Sequence, residues 1–113
     1  MMLEQARKYA LALPGATEAP HFEYTSFRVR GKIFATARPD GSSMHIFVDE
    51  ELRAPLIATE PEIYEALHWG SKVVGVKVAL LHAKAGTVNR LLLESWKRKA
   101  SKHLAAVFAH GKH

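Results

Sequence analysis

The stretch from Thr25 to Glu50, "TSFRVRGKIFATARPDGSSMHIFVDE", constrains the fold more than any other part of the chain. Three short runs alternate apolar and polar residues, separated by Arg30-Gly31 and by Pro39-Asp40-Gly41, and both separators are turn chemistry. Alternation of this kind predicts strands, so the stretch reads as a three-stranded antiparallel meander. Phe27 and Val29 point to one side and Arg28 and Arg30 to the other; Met44, Ile46 and Val48 likewise oppose His45 and Phe47. One face of the sheet is therefore expected to be core and the other at least partly wet.

Helical spacing brackets this sheet. Leu3, Ala6, Tyr9, Ala10 and Leu13 recur one turn apart and stop at Pro14-Gly15, where proline ends a helix and glycine releases the chain. Asp49 is placed to cap a second helix with Glu50 and Glu51 in its first turn, and Pro55 predicts that this helix is short or bent. Thr59 and Glu62 fit a capping box that would carry a helix through Leu67. In "KVVGVKVALL", Val74, Val76, Val78 and Leu80 alternate with Val73, Gly75, Lys77 and Ala79, which predicts a strand. Thr87 then starts a final helix with the stripe Val88, Leu92, Trp96, Ala100 and Leu104, flanked by Leu93 and Val107. The expected fold class is α+β: a two-layer sandwich with an antiparallel sheet of about five strands, in the order α-β-β-β-α-β-β-α. With 113 residues and no repeats or linkers, one domain over residues 1–113 is expected.

Composition excludes several classes of function. The chain has no cysteine, so disulfides, thiolate zinc sites and a cysteine nucleophile are ruled out. Its opening residues lack a signal-type apolar run and no stretch approaches about 18 apolar residues, so a cytoplasmic location without membrane contact is expected. The seven histidines, His21, His45, His68, His82, His103, His110 and His113, lack the spacing that aims two ligands from one helix face. No metal and no cofactor is expected. Phosphate-cradling glycine loops and a G-x-S-x-G elbow are also missing, and Ser42 and Ser43 read as turn residues. Glu60, Glu62 and Glu65 read as a solvated face, with no electrophile-stabilising set beside them. The expectation is a protein without catalytic residues, not an enzyme.

Charge is the remaining signal. Through Leu67 the chain has seven bases and ten acids, and from His68 onward nine bases against Glu94 alone, which divides the net +5 into −3 and +8. The positive half would attract phosphate or an acidic protein. On the last helix Arg90, Lys97, Arg98 and Lys102 avoid the apolar stripe and are expected to share its outer arc, with Lys72 and Lys77 on the strand before it. Four such groups on phosphates would make affinity fall by roughly the 3.6 power of salt concentration. Against this, lysines also populate the wet side and the last turn of ordinary terminal helices.

Four ordered blocks carry a family resemblance: "ALALPGATE" (Ala10 to Glu18), "FRVRGKIFAT" (Phe27 to Thr36), "VVGVKVAL" (Val73 to Leu80) and "LLLESWKRKASKHLAA" (Leu91 to Ala106). Together they resemble the MmcQ/YjbR family of small bacterial proteins. The resemblance implies a compact α+β fold in the neighbourhood of frataxin-like (CyaY-like) and secretion-chaperone-like domains. It also implies DNA binding by a "double wing" arrangement, and it carries no catalytic signature. Gly31 is implied as the hairpin glycine, Phe34 and Trp96 as packing aromatics, and Lys32 as the base beside the turn. It further favours a short strand near Tyr64 to Trp69 over the helix suggested by the capping box. Pro55 and "ASKHLAA", where a proline after the alanine is frequent, depart from the common family forms.

The expected function is accordingly weak, backbone-directed DNA binding by a monomer, with Arg28, Arg30 and Lys32 at the first hairpin and Lys72, Lys77, Arg90, Lys97, Arg98 and Lys102 on the basic half. The alternative is an interaction or chaperone-like module for an acidic protein. A third reading is a ligand or metal function of the acidic segment Asp49 to Glu65, by analogy with frataxin-like acidic ridges.

Overall fold

The computed structural model describes residues 1–102 and 104–106. Helix α1 (Leu3–Ala12) is followed by strands β1 (Ala16–His21), β2 (Tyr24–Val29), β3 (Lys32–Ala37) and β4 (Ser43–Ile46), helix α2 (Glu50–Thr59), strands β5 (Tyr64–Trp69) and β6 (Lys72–Ala79), a 3-10 turn at Leu80–His82 and helix α3 (Ala85–Lys99). The strands form one antiparallel sheet in the order β1-β2-β3-β4-β6-β5. Helix α3 lies across β3 and β4 beside α1, while α2 contacts β5 and β6. The expected two-layer α+β architecture is present, with one edge strand more than the alternation predicts.

That strand is β1. Its sequence, Ala16-Thr-Glu-Ala-Pro-His21, has no apolar alternation, and Pro20 sits where only an edge strand tolerates it. Polar stitching holds it instead. Glu18 accepts hydrogen bonds from Arg7 Nε of α1 at 2.9 Å and from Thr25 Oγ1 of β2 at 2.6 Å, and Ser26 Oγ donates to the Ala19 carbonyl at 2.8 Å.

The core lies between the sheet and α1 with α3, and includes Phe27, Ala35, Met44, Ile46, Val76, Val78, Leu92 and Trp96, all fully buried. A bulge breaks the expected alternation in β3. Phe27 pairs with Ala35 but Arg28 pairs with Ile33, so Phe34 is the extra residue and both Phe34 and Ala35 are buried. Ser95 Oγ of α3 donates to the Phe34 carbonyl at 2.5 Å, pinning the helix on the bulge. Trp96 is a packing aromatic as the resemblance implied, and its indole N–H donates to the Pro14 carbonyl at 3.0 Å, tying α3 to the end of α1.

Residues 64–69 are the strand that the family resemblance favoured over the capping-box helix, and Tyr64 to Trp69 pair in register with β6. Two other local expectations are revised. Asp49 occupies the N-cap position of α2, but its side chain makes no capping bond; its carboxylate lies 3.5 Å from Arg98 Nη2 instead. The last helix begins two residues before Thr87 and ends at Lys99, where Ala100 is extended, and Ser101 Oγ accepts from Leu104 N to start a separate turn. Leu91 and Ser95, rather than Leu93, complete the buried stripe of α3, while Ala100 and Leu104 still pack against the core. Val107, Lys112, His103, His110 and His113 lie outside the described residues.

Gly75 brings β6 unusually close to β4. A Cβ there would stand 2.2 Å from the Ile46 carbonyl oxygen and 2.9 Å from Phe47 Cα, so only glycine lets the two strands approach. The same close approach sets the path of Phe47 as it leaves β4. In β6 a second bulge occurs, because Leu67 pairs with Gly75 but His68 with Val73. Val74 is left between them, and it lines the open face with Leu67 rather than joining Val76 and Val78 in the core.

Candidate functional site

The sheet face turned away from the helices is an open cleft of about 660 Å³. Topology brings its working parts to one end. Strands β3 and β6 both run antiparallel to β4 between them, so the β2–β3 and β5–β6 hairpins turn at the same end of the sheet. The β2–β3 loop is the two-residue Arg30-Gly31, with φ of 55° and 75°, the positive values that a type I′ hairpin requires at both positions. Arg30 adopts this conformation without being glycine. Lys32 follows at once and opens β3 with its side chain on the cleft.

Three aromatic residues and three imidazoles line the same space: Tyr24, Phe47 and Trp69 with His21, His45 and His68. They form two ring pairs. Tyr24 and His45 have ring centroids 5.7 Å apart at 42°, and Phe47 and Trp69 lie 5.9 Å apart at 60°. Trp69 is 69% exposed, an unusual position for an indole at a hairpin end. Ile33, Leu67 and Val74 supply an apolar floor.

The cations enter from two layers. Lys32 belongs to the sheet, whereas Arg98 and Lys99 reach the cleft from the last turn of α3. Lys99 Nζ lies 5.9 Å from the Phe47 ring centroid, within cation–π range. Among the described residues no acidic side chain lines the cleft. Asp49 approaches Arg98 from outside, but both are solvent-exposed and such a pair contributes little.

His45 is half-buried on this face. Burial lowers its pKa below the usual imidazole value, and the positive charges of Lys77 and Arg38 lower it further, so the ring is neutral near pH 7. Lys77 stands directly across from His45 in the β4–β6 ladder.

The residues expected to bind DNA divide into groups. Lys32 and Arg98 meet in the cleft. Arg28 is on the same sheet face, cross-strand from Ile33, with Nε donating to Ser26 Oγ at 3.0 Å; Arg30 and Lys72 are exposed at the two hairpins beside it. Lys77 lines a separate hollow of about 400 Å³ together with Arg38, Glu62 and Glu65, so acids neutralise its surroundings. Arg90 lies in a hollow between α2 and α3 near Glu51, and Lys97 Nζ pairs with Glu94 at 3.3 Å. Lys102 is exposed past the end of α3. The common outer arc expected for Arg90, Lys97, Arg98 and Lys102 does not hold, because the break at Ala100 ends the helix and the 100° step between residues turns Arg90 and Lys97 away from Arg98.

Lys99, Tyr24, Phe47 and Trp69 were not among the expected contacts. Lys99 carries a readable signal: it stands three residues after Trp96 and four after Ser95, on the buried stripe of α3, where a lysine belongs only if the helix overruns the core. Among the described residues no group of three or more His, Cys, Asp or Glu gathers as a metal site requires, the acidic Asp49 to Glu65 segment included, and no helix is long and apolar enough to cross a membrane.

The fold and site define a class: a small α+β domain with helices on one side of an antiparallel sheet and an aromatic, basic cleft on the other. The model of the YjbR family matches residues 11–98, and the chain belongs to that family. Among solved structures, Deinococcus radiodurans protein DR2400, a DUF419 domain protein, shares the fold with a TM-score of 0.74 at 22% identity, over 84% of this chain and 75% of that one. No curated protein matches the chain.

Proposed function

We propose that this YjbR-family protein is a non-enzymatic DNA-binding protein that holds the phosphate backbone through Lys32, Arg98 and Lys99 at the hairpin end of its open cleft. The observation that carries the reading is the convergence of these three cations, from two different layers of the fold, on a surface that no acidic side chain lines among the described residues. Like charges so grouped repel one another, and an anionic occupant relieves that repulsion. Arg28, Arg30 and Lys72 flank the same end and extend the positive field. Phosphate contacts position a protein on nucleic acid and give affinity without reading sequence.

The test is a salt titration of binding to a mixed-sequence duplex. Three phosphate contacts predict that log affinity falls with log salt at a slope of about −2.7, since each contact contributes about −0.9. Absence of binding at about 50 mM salt, or a slope near zero, would sink the reading. Binding of an acidic protein with equal affinity at the same salt would instead favour the interaction-module alternative.

A further inference from the structure

We infer that the cleft takes nucleic acid as a single strand, stacking bases on its two ring pairs while Lys32, Arg98 and Lys99 meet the phosphates. The inference rests on the DNA-binding reading and adds to it the strandedness and the mode of contact.

Cations alone would suit any polyanion, but here they share the surface with aromatic rings: Lys99 lies over the Phe47 ring and Arg38 over the Tyr24 ring, each 5.9 Å from the centroid. The Tyr24–His45 pair and the Phe47–Trp69 pair are connected through the chain, because His45 and Phe47 stand two residues apart. Phe47 lies just past the end of β4, so the two platforms are neighbours along one stretch of backbone. A duplex keeps its base faces stacked inside, whereas a single strand can turn them onto these rings. Trp69 supports the same occupant: its indole is 69% exposed at the hairpin end, whereas the other tryptophan, Trp96, is fully buried. A large exposed aromatic beside a basic rim is the combination that sequence-tolerant single-strand binding uses. His45 adds a flat ring, half-buried beside Tyr24 with centroids 5.7 Å apart.

The experiment measures binding of a short oligothymidylate and of a mixed duplex of equal length at about 50 mM salt, by anisotropy and by intrinsic fluorescence. Because Trp96 is buried, quenching on addition of the oligothymidylate reports Trp69. The expected result is tighter binding of the single strand, with quenching. Trp69→Ala and Phe47→Ala should each weaken single-strand binding by about 5- to 150-fold, the range for loss of one stacked base. Trp69→Phe should retain most of the affinity, and duplex binding should change little in all three variants. Trp69 is exposed, so its substitution leaves the core intact, and an unchanged thermal transition verifies this. Duplex binding at least as tight as single-strand binding, or indifference of single-strand binding to Trp69→Ala, would overturn the inference and leave the DNA-binding reading standing. Competition by thymidine monophosphate or by polyglutamate at the same concentration as the oligothymidylate would overturn it too, the first in favour of a mononucleotide pocket and the second in favour of charge alone. Failure of both duplex and single strand to bind would remove both readings.

Discussion

The ammonium of Lys99 lies 5.9 Å from the ring centroid of Phe47, so a residue on the stripe side of α3 reaches round to the opposite face of the sheet. It can do so because the last turn of α3, which carries Arg98 and Lys99, lies at the hairpin end of the cleft. Lys99 therefore belongs to the cleft, while Arg90 and Lys97 on the same helix do not.

This placement separates the cleft cations of α3 from Arg90 and Lys97, which lie elsewhere. Lys99→Ala should reduce the magnitude of the salt slope of nucleic-acid binding by about 0.9 if its ammonium meets a phosphate. Arg90→Ala, which alters the formal charge equally, should leave the slope unchanged because Arg90 lies between α2 and α3. Salt titrations of the two variants side by side check the assignment. Equal effects would mean that net charge, and not the cleft, governs binding.

Gly75 gives a stability prediction that depends on backbone alone. A Cβ at this position would press on the Ile46 carbonyl and on Phe47 Cα, and neither is the end of a flexible side chain that could rotate away. Gly75→Ala should therefore destabilise the protein by about 3 kcal/mol, the upper part of the usual overpacking range. Denaturant unfolding followed by circular dichroism measures the effect. Because Phe47 sits at the same contact, the variant should also lose nucleic-acid affinity under conditions where it remains folded. A change below about 0.5 kcal/mol, the scatter of ordinary surface substitutions, would contradict the close approach.

Much of the architecture was legible because period and punctuation agree. The meander could be read from Phe27 to Val48 since Arg30-Gly31 and Pro39-Asp40-Gly41 mark its turns, and α1 since Pro14-Gly15 stops a helical stripe. Edge strand β1 was not legible, because its stability comes from Glu18, Thr25 and Ser26 bonding to neighbours rather than from an apolar pattern. Both bulges defeat alternation for the reason that alternation assumes one residue per step; Phe34 and Val74 are extra residues, and each changes which face its neighbours occupy. The site was legible as positive charge but not as a cleft. Lys32 and Arg98 were identifiable as basic residues, yet only the antiparallel order of β3, β4 and β6 puts both hairpins and the end of α3 together. Tyr24 and Trp69 gave no signal beyond being aromatic near a turn, a position that core residues occupy as often.

His45 makes the pH dependence of stability and of binding run in opposite directions. Its pKa in the folded protein is lowered from 6.5, first by burial and then by Lys77 on β6 and Arg38 just past β3, while Tyr24 on β2 packs its ring beside the imidazole. A lowered histidine pKa means that the unfolded chain takes up the proton more readily than the folded one. Stability from this group is therefore full above pH 6.5 and declines as pH falls below that value toward the lowered folded pKa. An anion in the cleft acts on the other side of the linkage, because phosphate beside the imidazole favours its protonated form. Nucleic-acid affinity at fixed salt should then rise as pH is lowered through the same window, even as the free protein loses stability. His45→Gln should flatten the contribution of this residue to both curves, measured by thermal unfolding and by anisotropy across about pH 5 to 8. If the substitution flattens the stability curve but leaves the binding curve untouched, His45 lies outside the field of the bound strand and the Tyr24–His45 pair is not one of its stacking platforms.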